Sequence, residues 1–139
     1  QCMHGVAASL VPASTGPLLL PMHGGTGQQG TQHTIARAYF SDGSGTTWIA
    51  GAGSVDLPMR GAMEASVAEL ASGRLIMSLR TQLGSVFLSQ SDDRGDTWSL
   101  AKPSGLKAPE ASTCLRRIPG TNDGPMFWTD SLSNPKHPH

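Results

Sequence analysis

Charge is scarce in this sequence and evenly balanced, which disfavours several classes of protein. Charged residues make up 14% of the 139 residues, with 10 Lys and Arg against 10 Asp and Glu. A zero net charge with scattered cations argues against an electrostatic nucleic-acid binder. No apolar run approaches membrane-spanning length; the three leucines at 18–20 are typical of a short strand. The two cysteines, Cys2 and Cys114, either pair or remain ordinary free thiols.

Glycine and proline are abundant instead, with 17 and 10 residues, and this favours many short strands joined by turns. Residues 5–10 and 18–22 read as two such strands, followed by a polar, glycine-rich loop over 24–31. The letters GTGQQG in this loop support a phosphate-binding function only weakly. No strong helical pattern follows them, and the lysine of a P-loop is absent.

Further strands are predicted along the rest of the chain. Gly73 and the β-branched Val67 and Ile76 favour two strands over one helix between Glu64 and Arg80. The predicted strands are 34–40, 48–50, 65–70, 75–80, 86–90, 98–101, 112–117 and 126–129. We therefore predict an all-β chain.

Residues 91–98, SDDRGDTW, match the pattern S-x-D-x-G-x-T-W at every fixed position. The matching residues are Ser91, Asp93, Gly95, Thr97 and Trp98. The aspartate can accept hydrogen bonds from nearby amides, the glycine can take positive φ, and the tryptophan can bury its ring between adjacent sheets. This pattern is the Asp-box, a β-hairpin motif of sialidases and other β-propellers. We predict a structural role for it, with Asp93 at the periphery of the blade and not a catalytic acid.

A weaker copy of the box lies upstream at residues 41–48. It keeps Ser41, Gly45, Thr47 and Trp48, but Gly43 stands where the aspartate belongs. Asp42 is expected to substitute for that aspartate in part. The two box tryptophans are roughly 50 residues apart, a period expected of propeller blades.

An internal repeat supports the same phasing. The tripeptide Glu-Ala-Ser occurs at 64–66 and again at 110–112, each time before or at a predicted first strand. Equal spacing from Gly16 to His23 and from Gly73 to Arg80 places His23 and Arg80 at equivalent points of successive second strands. We predict a β-propeller fold with about two four-stranded blades and part of a third, over residues 4–56, 62–104 and 109–139.

The segment 64–80, EASVAELASGRLIMSLR, begins with Glu64 and ends with Arg80. Its V-x-E-L-x-x-G-R-L body, and the order Asp-box, glutamate, arginine, Asp-box, resemble the sialidase (neuraminidase) family over nearly the whole chain. The resemblance implies a six-bladed propeller and a retaining exo-α-sialidase that removes terminal sialic acids from glycoconjugates without a cofactor. It also implies that Glu64 polarises a tyrosine nucleophile and that Arg80 belongs to an arginine triad that binds the sialic acid carboxylate.

Other polar residues have weaker assignments. His23 stands where related sialidases carry an aromatic or polar residue that contacts the sugar, and a histidine can hydrogen-bond hydroxyls. His4, at the start of the preceding strand, is expected to face the same pocket. For each, the alternative is an ordinary loop histidine. A zinc site is disfavoured because the five histidines lack ligand spacing, so no metal is expected. We expect Arg74 and Glu69 to be structural or solvated, and Glu110 is a weak candidate for the pocket.

Several residues that the resemblance requires are not in this sequence. The first arginine and the acid/base aspartate are expected before Gln1, and the third arginine and the tyrosine after His139. Tyr39, the one tyrosine present, precedes an Asp-box and is a poor nucleophile candidate. We therefore interpret the chain as an internal piece of a longer protein, inactive alone.

The expected partner is a sialylated glycan or another acidic sugar. Two alternatives stay open: a propeller hydrolase or lyase acting on another acidic sugar, and a non-catalytic glycan-binding propeller. The compartment is also open, a secreted or periplasmic location being compatible with a sialidase.

Overall fold

The computed structural model describes residues 3–5, 10–14, 16–25, 32–42, 44–118 and 125–129, the segments 3–5 and 125–129 by their backbone alone. Every regular element in this part of the chain is a β-strand, as predicted. The described residues include no helix that could cross a membrane. The strands are β1 (Met3–Gly5), β2 (Val11–Pro12), β3 (Leu18–Gly25), β4 (Thr34–Ser41), β5 (Ile49–Ala50), β6 (Met63–Glu69), β7 (Leu75–Arg80), β8 (Ser85–Ser91), β9 (Lys102–Lys107), β10 (Thr113–Arg117) and β11 (Pro125–Thr129).

The strands form three antiparallel sheets that follow one another along the chain. The first sheet has the order β1-β3-β4-β5, and β2 pairs with β3 on the same edge as β1. The second sheet has the order β6-β7-β8-β9, and the third pairs β10 with β11. Successive antiparallel meanders of this kind are the blades of a propeller, so the predicted fold class is confirmed.

The core lies between the sheets, and β6 is its centre. Because alternate residues of a strand point to opposite faces, neighbouring residues of β6 enter different clusters. Val67 packs with Leu19 of the first sheet, whereas Ala68 packs with Leu115 of the third. The first sheet meets β6 with Ala36 and Ala38, which are fully buried. Burial of both faces of β6 ties the three sheets into one unit.

Three strand predictions differ from the structure by more than two residues. The fourth strand of the second sheet is Lys102–Lys107 and not 98–101. Trp98 turns towards the core, and Ser99 makes only half of a ladder pair with Gln90: its N–H donates to the Gln90 carbonyl, but the N–H of Gln90 donates to the Ser99 hydroxyl. Regular pairing with β8 begins at Lys102. Of the predicted strand 5–10, residues 6–9 lie outside the described part, and strands are found at Met3–Gly5 and Val11–Pro12. Strand β3 extends to Gly25, into the predicted loop.

The complete Asp-box closes a tight turn after β8. Asp93 Oδ1 accepts the N–H of Thr97 at 2.9 Å and the hydroxyl of Ser91 at 2.7 Å, and Asp93 Oδ2 accepts the hydroxyl of Thr97. Burial alone would raise the pKa of Asp93, but these hydrogen bonds lower that pKa to about 2. Gly95 has φ 92°, as a turn glycine should.

The incomplete box after β4 is held more loosely. Asp42 accepts hydrogen bonds from the hydroxyl and the N–H of Ser44, at 2.7 and 3.3 Å, so it fastens a shorter span than Asp93 does. Trp48 is 36% exposed, and its indole N–H donates to the carbonyl of Gly45 at 3.1 Å. In the second box Trp98 packs against the core instead.

Candidate functional site

Most of the polar residues that the sequence predicts for a site lie together at one end of the stacked sheets. Met63 at the start of β6 pairs with Arg80 at the end of β7, whereas Leu75 at the start of β7 pairs with Ser91 of the Asp-box. The antiparallel register therefore places Glu64 and Arg80 at one end of the second sheet and the Asp-box at the other. We call these the site end and the Asp-box end.

Glu64 occupies a β-bulge at the site end. Between the pairs Met63–Arg80 and Ser66–Ser78, strand β6 has one residue more than β7. Glu64 has φ 42°, a left-handed value that costs a non-glycine residue about 1–3 kcal/mol. Its N–H donates to Nδ1 of His23, on the neighbouring sheet, at 3.1 Å. The bulge thus re-aims the glutamate, and the first sheet supplies the acceptor for its N–H.

The carboxylate of Glu64 is held from two further directions. Arg80 Nη1 donates to Glu64 Oε1 at 2.5 Å, and the side chains of both residues are 24% exposed. The hydroxyl of Ser112, just before β10, donates to Glu64 Oε2. Charge-assisted hydrogen bonds in such half-buried surroundings are stronger than neutral ones. Glu64 is therefore bound by residues of the first two sheets and by the residue that immediately precedes the third.

A second glutamate, Glu110, lies on the other side of Arg80. Its Oε1 accepts hydrogen bonds from Arg60 Nη1 at 2.7 Å and from Gln82 Nε2 at 3.2 Å, and it lies 3.9 Å from Arg80 Nη2. Against the opposing effect of burial, the bonds from Gln82 and Arg60 and the charges of Arg60 and Arg80 hold the pKa of Glu110 below its ordinary value. Glu110 has φ 50°, so both glutamates of the Glu-Ala-Ser repeat share a left-handed backbone.

The connection between the first two sheets places Arg60. The N–H of Thr34 donates to the carbonyl of Arg60, and the Thr34 hydroxyl contacts the carbonyls of Arg60 and Ala62, each at 3.0 Å. Gly61 has φ 81°, and a Cβ built there would lie 1.9 Å from the carbonyl oxygen of Thr34. Only glycine allows this close approach, which brings Arg60 to Glu110.

His33 fastens the same connection beside the site. Its Nδ1 lies 2.7 Å from the carbonyl oxygen of Met59, and its Nε2 lies 2.6 Å from Asp56 Oδ1. The hydrogen bond to Met59 and then that to Asp56 raise the pKa of His33 above its ordinary value. His33 therefore supports the loop that carries Arg60, and it does so best when it is protonated.

An open depression of about 510 Å³ adjoins the polar cluster. It is lined by Met59, Arg80, Gln82, Pro109 and Glu110. The 3.9 Å from Arg80 Nη2 to Glu110 is longer than a hydrogen bond, so this nitrogen can still donate to a ligand. Another depression, of about 230 Å³, lies along β2, β6 and β10 and is lined by Glu69, at the opposite end of β6 from Glu64.

The structure brings three of the four predicted site residues into contact: Glu64, Arg80 and His23. His4 pairs with His23 through the backbone, and its side chain lies outside the described part. Arg74 lies at the Asp-box end, where Arg74 Nε donates to Asp92 at 2.6 Å. Glu69, at the far end of β6, accepts the N–H of Ser14 at 2.8 Å.

Three residues of the cluster were missed by sequence reasoning: Arg60, Gln82 and Ser112. The Glu-Ala-Ser repeat contained a signal for Ser112, since it places a second serine beside a second glutamate at the next strand start. No comparable pattern marks Arg60 or Gln82, which reach Glu110 only through the packing of neighbouring sheets.

Comparison with known families matches the sequence to the BNR repeat-like domain over residues 2–128. The chain belongs to this family. The BNR repeat-like match covers both Asp-boxes and the segment from Glu64 to Arg80, so the family and the observed fold rest on the same residues. None of the curated proteins matches the sequence.

Solved structures similar to this BNR repeat-like chain include sialidases. A Dyadobacter fermentans protein of unknown function has a TM-score of 0.68 at 24% identity, over 79% of this chain and 30% of that one. Trypanosoma rangeli sialidase, in complex with 2,3-difluorosialic acid as a covalent intermediate, has a TM-score of 0.60 at 19% identity. The match covers 78% of this chain and 18% of that one. A mutant of NanB sialidase from Streptococcus pneumoniae has a TM-score of 0.59 at 25% identity, and the match covers 75% of this chain and 15% of that one. The chain thus spans less than a third of each of these structures. All three support the propeller fold, and the BNR repeat-like match together with NanB sialidase supports a sialidase-like superfamily.

Proposed function

We propose that this chain forms the central part of the active site of an exo-acting sialidase, with Glu64 as a catalytic residue and Arg80 as a carboxylate-binding residue. The observation that carries the proposal is the half-buried pair of Glu64 and Arg80, 2.5 Å apart at the site end of a sialidase-like fold. The three sheets would be consecutive blades, over about 4–56, 62–104 and 109–139.

The charges of the cluster suit an acidic sugar. Arg80 presents a planar guanidinium that stays protonated and can bind a carboxylate by two parallel hydrogen bonds. Its Nη1 is engaged by Glu64, whereas its Nη2 lies 3.9 Å from Glu110 Oε1. Arg80 and Glu110 both line the depression. Arg60 offsets the negative charge of Glu110, so a sugar carboxylate would meet a smaller repulsion there.

The proposed role of Glu64 follows from the chemistry of sialic acid. Its anomeric carbon bears a carboxylate, so an anionic nucleophile would be repelled, and a neutral phenol polarised by a carboxylate avoids this. Such a mechanism departs from the usual pair of carboxylates in glycosidases. Glu64 would accept the phenol proton while Arg80 and Ser112 keep its carboxylate oriented. The phenol, the acid/base group and the other arginines would come from elsewhere in the protein.

Hydrolysis of a fluorogenic α-sialoside by the full protein that carries this chain tests the proposal. We expect Arg80→Ala to lower kcat/KM by about 100-fold or more, because a charge-assisted contact to the substrate carboxylate and the support of Glu64 are both lost. Arg74→Ala is the matched control, since Arg74 flanks the same strand, carries the same group and pairs with Asp92 far from the site. We expect its kcat/KM to stay within about twofold of the wild type.

A second pair of variants tests Glu64 by the same assay. Glu64→Gln removes the charge but keeps the shape, whereas Glu69→Gln makes the same change at the other end of β6. We expect the first to lower kcat by about 100-fold and the second to leave it unchanged. A wild-type protein that released no sialic acid, or equal effects of the paired variants, would falsify the assignment.

A further inference from the structure

We propose that His23 is a positioning residue for Glu64, acting on its backbone N–H through Nδ1, and that it does not serve primarily as a sugar contact. The inference rests on the proposed function of Glu64 for its effect on activity. Its structural part stands on the geometry of the bulge, which does not depend on the reaction.

The bulge directs the N–H of Glu64 away from β7, and His23 supplies an acceptor for it. The register of β6 against β7 breaks between Met63 and Ser66, and the N–H of Glu64 is directed to the first sheet. A buried or half-buried N–H without an acceptor is costly, and here His23 Nδ1 accepts it at 3.1 Å. Glu64 also has a left-handed φ of 42°, which persists only where its surroundings hold it. The histidine is one of the groups that hold it.

The backbone of His23 is itself fixed on both sides. It pairs with His4 of β1 on one edge of β3 and with Ala36 of β4 on the other. A side chain on such a central strand is a firmer support than one on a loop. Because Nδ1 is the acceptor, the imidazole must be unprotonated at this atom, with its hydrogen on Nε2 when it is neutral.

His23 completes a three-sided support for the glutamate. Arg80 and Ser112 hold the carboxylate, but neither contacts the peptide N–H. If the N–H of Glu64 lost its acceptor, the strained backbone could relax towards an ordinary strand conformation and carry the carboxylate away from Arg80. A displacement of about 1 Å at a reacting group can cost about 100-fold in rate.

Three substitutions separate a positioning role from a sugar contact. In His23→Asn the amide oxygen can occupy the place of Nδ1, in His23→Gln it lies near the place of Nε2, and His23→Ala removes both. We expect Asn to keep kcat within about threefold of the wild type, and Gln and Ala to lower it by about 10- to 100-fold with little change in KM. If Gln were the variant that keeps activity, or if the loss lay mainly in KM, His23 would be a sugar contact and the proposal would be wrong.

Hydrogen exchange of the Glu64 amide, followed by NMR in the full protein, gives a readout independent of sialidase activity. We expect exchange in His23→Asn to resemble the wild type, and exchange in Gln and Ala to be faster by about tenfold, while amides in β8 stay unchanged. A wild type without sialidase activity would refute the proposed function alone, since exchange would still report on His23. Equal protection in Asn and Ala would overturn the positioning role.

Discussion

Two arginines mark the ends of strand β7: Arg80 is its last residue, and Arg74 immediately precedes its first. They differ in the exposure of their ion pairs more than in the distances within those pairs. Arg80 lies 2.5 Å from Glu64, and Arg74 lies 2.6 Å from Asp92. The first pair has side chains 24% exposed, whereas the second has 45% and 71%. Exposed ion pairs of this kind contribute little to stability, and they are screened by salt. The distance between arginine and carboxylate therefore does not distinguish the pair at the candidate site from an exposed surface ion pair.

The two ends also differ in how many sheets contribute to them. At the site end Glu64 is contacted from the first sheet by His23 and from just before the third by Ser112. The turn at the Asp-box end is closed by Ser91, Asp93 and Thr97 of the motif itself. The first sheet reaches this turn through the connection that follows β5, whose Ala52 and Gly53 donate their N–H groups to Asp96. One end is thus specified by a short motif and the other by the packing of blades. The predictions below test that contrast.

The largest difference is expected between Gly61→Ala, near the site end, and Gly73→Ala, near the Asp-box end. Their φ values are 81° and 82°, so the intrinsic cost of a side chain is the same. A Cβ at Gly61 would lie 1.9 Å from Thr34, whereas one at Gly73 meets nothing within 4 Å. We expect Gly73→Ala to cost about 1 kcal/mol of unfolding free energy and Gly61→Ala about 3 kcal/mol or more.

Chemical denaturation of the full protein measures both variants. In addition, Gly61→Ala should lower the proposed hydrolysis of sialosides under folding conditions, because it displaces Arg60 from Glu110. Similar losses of stability in both variants would show that the approach of Gly61 to Thr34 is not tight, and the contrast between the ends would weaken.

The same contrast explains what could be predicted from the sequence. The Asp-box and the spacing from Glu64 to Arg80 lie within single sheets, so local patterns were sufficient to find them. Arg60 and Gln82 could not be found in this way, because they meet at Glu110 only after neighbouring sheets have packed. The start of β9 was misplaced because Trp98 packs inward, a tertiary effect that strand propensity does not contain.

A smaller effect is expected at the Asp-box end on acidification. The folded-state pKa of Asp93 is about 2, below its unfolded value of about 3.9. Its contribution is therefore present above pH 3.9 and lost as the pH falls towards 2, and after allowance for solvent screening it amounts to about 1 kcal/mol. We expect Asp93→Asn to be less stable than the wild type at pH 6 and equally stable near pH 2.

Denaturant unfolding at several pH values checks this expectation. Asp96→Asn is a suitable control, because it removes a charge from the same turn while leaving the bonds from Asp93 to Ser91 and Thr97 in place. Asp96 Oδ1 accepts the N–H of Ala52 at 2.9 Å, and the amide oxygen of asparagine can keep that bond. A constant difference between Asp93→Asn and the wild type at every pH would mean that the carboxylate charge contributes nothing.

The smallest effect is expected at His33, on the loop that carries Arg60. Its folded pKa is raised above about 6.5, so its contribution is fully present below that pH and is lost as the pH rises through the folded pKa. NMR titration of the imidazole should show the raised pKa. Asp56→Asn should lower it only in part, because the hydrogen bond to the carbonyl of Met59 is the larger cause. If the pKa of His33 in Asp56→Asn returned completely to about 6.5, the shift would instead be due to Asp56. The hydrogen bond to Met59 would then give the loop that carries Arg60 no pH-dependent support.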